Sequence, residues 1–136
     1  MKKYIFIIIL NLTVTLSLFG QKIIVPMDLA QTDHLKSYGI VYWYLSQGGI
    51  ADWLLNYRGG SFIMDYSDKL AAECRIRGVF FENLNESKAK AIFDQVQAED
   101  VNMDAVKLEK APKIAVYAPP GTQPWDDAVR LVLEYA

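Results

Sequence analysis

Short apolar runs alternate along the chain with longer stretches of helical spacing, and this order predicts an α/β fold. Lys22–Met27 carries three consecutive β-branched residues, which favours a buried strand. The stretch that follows, from Thr32 or Asp33 to Gly48, is apolar nearly all round and begins with a capping residue, as a buried helix would. Ala51–Tyr57 is the second predicted strand, and a loop separates it from a short extended piece.

The second half of the chain continues the alternation of strand and helix. The best defined element is a helix whose apolar residues keep the i, i+3, i+4, i+7 spacing. In chain order the predicted elements are a helix at Ser67–Arg77, a strand at Val79–Phe81, a helix at Ala89–Val96, a short strand at Ala105–Leu108, a strand at Lys113–Ala118 and a helix from Thr122 to Ala136.

Strands and helices at this spacing predict a parallel sheet of the Rossmann or flavodoxin-like type, covered by helices on both faces. The apolar stripe of the last helix runs to Ala136 with no Gly, Asn or Pro to end it. We therefore expect the sheet to be incomplete at the C-terminus. The predicted organisation is a signal peptide at 1–20, an α/β domain at 21–98, a connection at 99–111 and the start of a second α/β unit at 112–136.

The first twenty residues have the three-part layout of a secretory signal peptide. Lys2 and Lys3 are basic, Tyr4–Phe19 is mostly apolar, and Gly20 is a small residue at a plausible cleavage point. A retained anchor is the alternative, but the apolar stretch is shorter than the roughly 20 residues that a membrane span needs. We expect an exported protein, periplasmic or secreted, with no stable membrane insertion after cleavage.

Composition narrows the classes of function. Hydrophobic residues make up 52% and charged residues 22% of the 136 residues, which excludes disorder as the main state. A net charge of −2 gives no basic surface for phosphates, so nucleic acid is not expected as a partner. One cysteine, Cys74, and one histidine, His34, are too few for a zinc site, and no cofactor is expected.

The loop Arg58–Ser61 is a candidate anion site because it follows a predicted strand and contains Gly59 and Gly60. It lacks the glycine and lysine spacing of the known phosphate-binding loops, so a tight turn is the alternative. The residues assigned to a ligand here are Arg58, Gly59 and Gly60.

A second candidate loop, Pro119–Thr122, leads from a predicted strand into the N-terminus of the last helix. Free main-chain N–H groups at such a place favour a ligand, with Gly121 and Thr122 nearest to it. A rigid connector is the alternative.

His34 and Cys74 are the remaining residues whose side chains could bind a ligand or react. His34 lies in the first turn of a predicted helix and, with Asp28 near the end of the first strand, is a candidate ligand contact; a surface or capping histidine is the alternative. Cys74 has helical spacing from Leu70 and Ala71, which favours a small core residue over a nucleophile. No catalytic constellation is predicted within these residues.

Four segments carry a resemblance to a known family. The segments Val25–Asp28, His34–Gly39, Asp52–Phe62 and Lys107–Tyr117 resemble an exported bacterial family whose members are labelled asparagine synthetase B. A glutamine-dependent synthetase has a cysteine directly after the start methionine, where this chain has Lys2. It also has a Ser-Gly-Gly-x-Asp-Ser loop, which Arg58–Ile63 does not match. The resemblance therefore implies a longer exported protein and assigns no synthetase residue here.

A second likeness concerns the end of the chain. Lys113–Tyr135 is similar to the first strand, loop and helix of the class I glutamine-amidotransferase-like fold, whose catalytic cysteine and histidine would lie beyond Ala136. Two functions follow as expectations. One is a binding or accessory protein that recognises a small polar ligand, and the other is the N-terminal part of a hydrolase or amidotransferase. The oligomeric state is not predicted.

Overall fold

The computed structural model describes residues 21–116 and 125–136, which form one five-stranded antiparallel sheet and four α-helices. In chain order these elements are β1 Lys22–Val25, α1 His34–Ser46, β2 Ala51–Leu55, β3 Phe62–Asp65, α2 Asp68–Arg77, β4 Glu82–Leu84, α3 Glu86–Val96, β5 Asp104–Leu108 and α4 Trp125–Tyr135.

The prediction of a parallel Rossmann or flavodoxin-like sheet is wrong. The strand order is β4-β1-β3-β2-β5, and every neighbouring pair is antiparallel. The connection through α1 leaves a gap between β1 and β2, and β3 fills it. The connection through α2 likewise places β4 on the far side of β1. Two interleaved split βαβ units of this kind give the ferredoxin-like arrangement, to which α3 and β5 are added.

The short β2–β3 connection is the reason for the different topology. Only residues 56–61 separate the two strands, and a connection this short joins antiparallel neighbours, whereas parallel strands need a long crossover. Phe62–Met64, expected only as a short extended piece, therefore belongs to a central strand, Phe62–Asp65. Its side chains are buried except at the last position.

Two other predicted strands lie elsewhere or do not form. The strand expected at Val79–Phe81 is found at Glu82–Leu84, because Val79 still closes the end of α2 through a bond from its N–H to the Cys74 carbonyl (2.8 Å). The part of the predicted strand at Lys113–Ala118 that the structure describes, residues 113–116, has no strand partner. Its last two residues lie outside the described ranges.

The sheet carries a hydrophobic cluster on each face, as strand alternation requires. Ile23 and Val25 point to the face covered by α1 and α2, where Ile40, Leu70 and Cys74 are fully buried. The opposite face is covered by α3, and its buried residues are Ile24, Leu54, Ile63, Leu84, Ala89 and Val96. The result is a three-layer core in which the central strands are buried on both sides.

Short polar residues begin the helices at the places that the sequence predicts for two of them. The Asp33 side chain accepts from the Lys36 N–H, and the Ser67 side chain accepts from the Leu70 N–H. Gly78 ends α2 in the left-handed conformation with φ 71°. Each such cap is worth about 1 kcal/mol because it satisfies a main-chain group that the helix leaves free.

Candidate functional site

Two of the predicted ligand residues, Asp28 and Arg58, meet where the chain leaves β1. The Arg58 Nε donates to Asp28 Oδ2 and its Nη1 donates to Glu82 Oε1, both at 2.7 Å. The remaining Asp28 oxygen accepts from the Ala30 N–H at 3.0 Å. These bonds, that from Arg58 first, hold the pKa of Asp28 below its usual value, and the two carboxylates raise the pKa of Arg58.

The glycines of this loop are required by the hairpin. Asn56, Arg58, Gly59 and Gly60 all have positive φ, which favours glycine and strains the other two. A side chain at Gly59 would overlap the Met27 carbonyl oxygen, so the close approach of the two backbones requires glycine there. Gly60 offers its carbonyl to Trp53 Nε1 at 3.1 Å. The loop has the features of a tight turn packed on the end of β1.

His34 also contacts this end of β1. Its Nε2 lies 3.1 Å from the Met27 carbonyl oxygen, and since a carbonyl only accepts, this nitrogen carries the proton. Gln31 is buried close by. Its amide nitrogen donates to the carbonyls of Pro26 and Phe80, and its amide oxygen accepts from the Phe80 N–H.

The polar groups at the end of β1 are therefore engaged with one another. Among the described residues no buried side-chain nitrogen or oxygen lacks a hydrogen-bond partner. Within the same ranges no group of three or more His, Cys, Asp or Glu residues is placed to hold a metal ion. The cluster of Asp28, Arg58 and Glu82 fastens the β2–β3 loop to β1 and β4.

Cys74 is a core residue, as predicted. It is fully buried in the cluster under α1 and α2, and burial raises its pKa to about 11. The thiol is therefore protonated near neutral pH, and a protonated, enclosed thiol is a poor nucleophile.

A groove of about 470 Å³ lies along the outer side of α1 and was not predicted. Tyr38 and Tyr42 form one wall and are 49% and 42% exposed. Neither hydroxyl has a hydrogen-bond partner among the described residues. The lining consists of Tyr38, Gly39, Tyr42, Trp43, Ser46, Arg77, Ile114, Val116, Leu133, Glu134 and Ala136.

Arg77 makes one part of this groove cationic. Its Nε donates to Glu73 at 3.3 Å and its Nη1 to the Ala136 carbonyl at 3.4 Å, which leaves three of its five N–H groups for other acceptors. Lys69 Nζ lies 5.1 Å from the centroid of the Trp43 ring. The groove carboxylate Glu134 is paired with Arg130 at 3.7 Å.

A second, smaller groove of about 220 Å³ lies on the other side of the two tyrosines. It is lined by Tyr38, Val41, Tyr42, Leu45, Trp53, Phe62, Leu108 and Pro112. Phe62 stacks on Trp53 with ring centroids 6.0 Å apart, and Tyr38 meets Phe62 edge-on at 5.8 Å. The tyrosines thus stand between a mixed groove and an almost wholly apolar one.

Sequence reasoning missed both grooves because it placed all of α1 in the interior. A helix that lies on one face of a single sheet buries only the side that faces the sheet, so aromatic residues on its other side remain accessible. The spacing of Tyr38 and Tyr42 by four residues was the available signal, and only the fold shows that this side is outward.

The other predicted elements of function lie outside the described residues. Gly121 and Thr122 belong to the stretch 117–124, and the expected signal peptide to 1–20. Among the residues that the structure describes, no helix has the length and apolar character needed to cross a membrane.

Neither a family model, nor a curated protein, nor a solved structure matches this chain. The likeness to asparagine synthetase B and to amidotransferases stays a prediction.

Proposed function

We propose that this chain is a binding or accessory module whose groove beside α1 takes a small ligand with a flat apolar body and an acidic group. The observation that carries this proposal is an aromatic-walled groove with Arg77 in its lining. Its volume of about 470 Å³ falls in the range of about 300–1,000 Å³ that is usual for small-molecule sites.

The walls favour a flat apolar body. Tyr38, Tyr42 and Trp43 are aromatic, and Ile114 and Val116 add branched aliphatic surface. Aromatic side chains provide a large contact area with little loss of side-chain freedom, and stacking adds to the burial of apolar area. The free tyrosine hydroxyls supply the few polar contacts that orient a ligand in such a site.

The charges favour an acid over an amine. Glu134 is paired with Arg130 and Glu73 with Arg77 itself. Arg77 keeps N–H donors beyond its bonds to Glu73 and to the Ala136 carbonyl, and Lys69 stands beside Trp43. Arginine binds carboxylate and sulfonate groups through paired N–H donors. A ligand acid would therefore gain its strongest polar contact at Arg77.

The test uses 1-anilinonaphthalene-8-sulfonate, which joins fused aromatic rings to an anionic group. Fluorescence titration should give saturable binding to the wild-type chain. Arg77→Gln should weaken it about tenfold, the value of one charge-assisted hydrogen bond, and Tyr42→Ala should weaken it as well.

Arg75→Gln is the matched control, because Arg75 is on the same helix but stands over Phe81, 5.5 Å from its ring centroid, and does not line the groove. The uncharged analogue N-phenyl-1-naphthylamine should bind equally to wild type and Arg77→Gln. Equal sulfonate binding by Arg77→Gln and Arg75→Gln would contradict the proposed site.

A further inference from the structure

Residues 113–116 have the sequence of a strand and none of its hydrogen bonds. Lys113, Ile114, Ala115 and Val116 end in two β-branched residues separated by alanine, a composition that favours strands. Yet no main-chain hydrogen bond joins this segment to any residue that the structure describes. Its N–H and C=O groups are therefore available to another strand.

The side chains of this segment are arranged as in a strand that is half covered. Ile114 and Val116 both line the groove beside α1, as residues two apart in an extended chain do. They remain 53% and 42% exposed. Pairing through the main chain runs sideways, in the plane of the segment, so a partner strand can add without entering the groove.

Among the described residues, the two edge strands of the sheet are better protected against pairing with another strand than this segment is. The free edge of β5 carries Asp104 and Lys107, and β4 is three residues long and begins with Glu82. Charged side chains and short length are the usual devices that prevent pairing at an edge. From Ile114 to Val116 there is no charge, and Lys113 lies at one end.

We propose that residues 113–116 pair in antiparallel fashion with the same residues of a second copy of this chain. A two-fold axis at Ala115 would place Ile114 opposite the partner's Val116, a pairing of β-branched residues that stabilises sheets. Lys113 would then lie at opposite ends of the ribbon. A parallel arrangement would instead put the two lysines side by side, and like charges in that position oppose pairing.

The exposed apolar side of α4 supports an interface at this place. Leu133 lines the same groove as Ile114 and Val116, so the surface of α4 continues that of the segment. Val129 and Val132, which share this side of the helix with Leu133, are about half exposed. Apolar surface beside an open strand edge adds burial to the main-chain bonds of the pair.

The inference does not depend on the groove's ligand, and the test is association of the full chain measured by sedimentation velocity over a range of concentrations. In the proposed register the two Ala115 residues form a hydrogen-bonded pair and exchange both N–H···O bonds. Ala115→Pro removes these two N–H groups, while Ala115→Ser keeps them. We expect dimerisation by wild type and Ala115→Ser. The dissociation constant of the Ala115→Pro dimer should be roughly ten- to thirtyfold higher, which corresponds to the free energy of two lost main-chain hydrogen bonds. Any association caused by residues 1–20 is the same in all three chains.

Cross-linking gives a second readout that does not need proline. Ala115→Cys should form a disulfide-linked dimer rapidly under mild oxidation, because facing residues of an antiparallel pair lie within disulfide range. Ser87→Cys, exposed on α3, should not. Equal association of Ala115→Pro and Ala115→Ser, together with equal cross-linking of the two cysteine variants, would overturn the proposal. A chain that stays monomeric at all concentrations would overturn it as well.

Discussion

Two regions of the molecule, the loop at the end of β1 and the described residues after β5, differ in how far their polar groups are satisfied. At the end of β1, the loop of Arg58 is fastened by two ion pairs and by the close approach of Gly59 to Met27. In the described residues after β5, the segment 113–116 has no strand partner, and the large apolar side chains of this segment and of residues 128–135 are each about half exposed. The fastened end stabilises the fold, and the open end has the properties of a binding surface.

The predicted ligand residues lie partly in the fastened region and partly in the stretch 117–124, which is outside the described residues. Asp28, His34 and Arg58 are predicted ligand contacts because their chemistry is that of binding sites; in the structure Arg58 pairs with Asp28, and His34 contacts the Met27 carbonyl. Polar residues after a strand form a ligand site only where their hydrogen-bonding groups are not already used by other groups of the protein. Whether they do depends on contacts such as Arg58–Glu82, between residues 24 positions apart.

The largest difference between the two regions should appear when apolar side chains are shortened. Leu54→Ala removes a fully buried side chain and should destabilise the fold by about 2–5 kcal/mol. Leu131→Ala on α4, where the residue is 60% exposed, should change the free energy of unfolding by less than about 0.5 kcal/mol. Urea unfolding measures both, and similar losses would mean that α4 belongs to the core.

A smaller effect is expected when the fastened loop is altered at Gly59. Gly59→Ala should destabilise by about 1–3 kcal/mol, because φ is +80° and the new side chain would meet the Met27 carbonyl. Gly48→Ala has a similar φ of +85° with open space around it, so it isolates the cost of the backbone conformation. Equal losses for the two variants would show that Gly59 does not hold the loop against β1.

The ion pairs at the end of β1 should make stability depend on pH in the acid range. The pKa of Asp28 is lower in the folded chain than its usual value, so its contribution is present above about pH 4, the unfolded value, and is lost as pH falls through the folded pKa. Thermal melting should separate wild type from Asp28→Asn at pH 7 and bring them together at strongly acid pH.

Asp94→Asn is the control for this pH series, because the Asp94 carboxylate pairs with Lys90 in solvent on α3. Exposed pairs of this kind contribute little, so its melting temperature should follow that of wild type. A constant gap between wild type and Asp28→Asn across the whole range would show that the carboxylate is not the stabilising group.

The smallest effect on stability is expected where α4 meets α1. A side chain at Gly39 would overlap the Ala136 carbonyl, so Gly39→Ala should displace the end of α4. Because α4 adds little to the core, and because alanine favours the helix of α1 over glycine, no loss of stability is expected in urea unfolding. The tyrosine ring signals of Tyr135, which bonds Asp33 at 2.5 Å, should nevertheless shift in NMR spectra.

Much of the local structure could be predicted from the sequence, because its causes are local. The caps at Asp33 and Ser67, the stop at Gly78 and the amphipathic spacing of α3 depend on neighbours within a few positions. The core position of Cys74 followed from the same helical spacing.

The topology could not be obtained in the same way, because alternation of strand and helix is shared by parallel sheets and by split βαβ sheets. The decisive feature is the helix-free connection between β2 and β3. From the sequence it is a loop that leads only to a short extended piece, and that piece is the strand β3. The predicted strand at Lys113–Ala118 has the right composition, but the described part of it, residues 113–116, lacks a neighbour. Composition alone does not supply the partner that a strand needs.

Amide hydrogen exchange tests the contrast between the two regions most directly. The full chain would be studied at a concentration low enough for it to be monomeric. Amides of β1 and β3, and of the bonded positions in the loop 56–61, should exchange slowly through opening of the whole fold, while those of residues 113–116 should exchange nearly as fast as in an unfolded chain. If residues 113–116 are instead as protected as β3 in the monomer, the segment is already paired and the open binding surface does not exist.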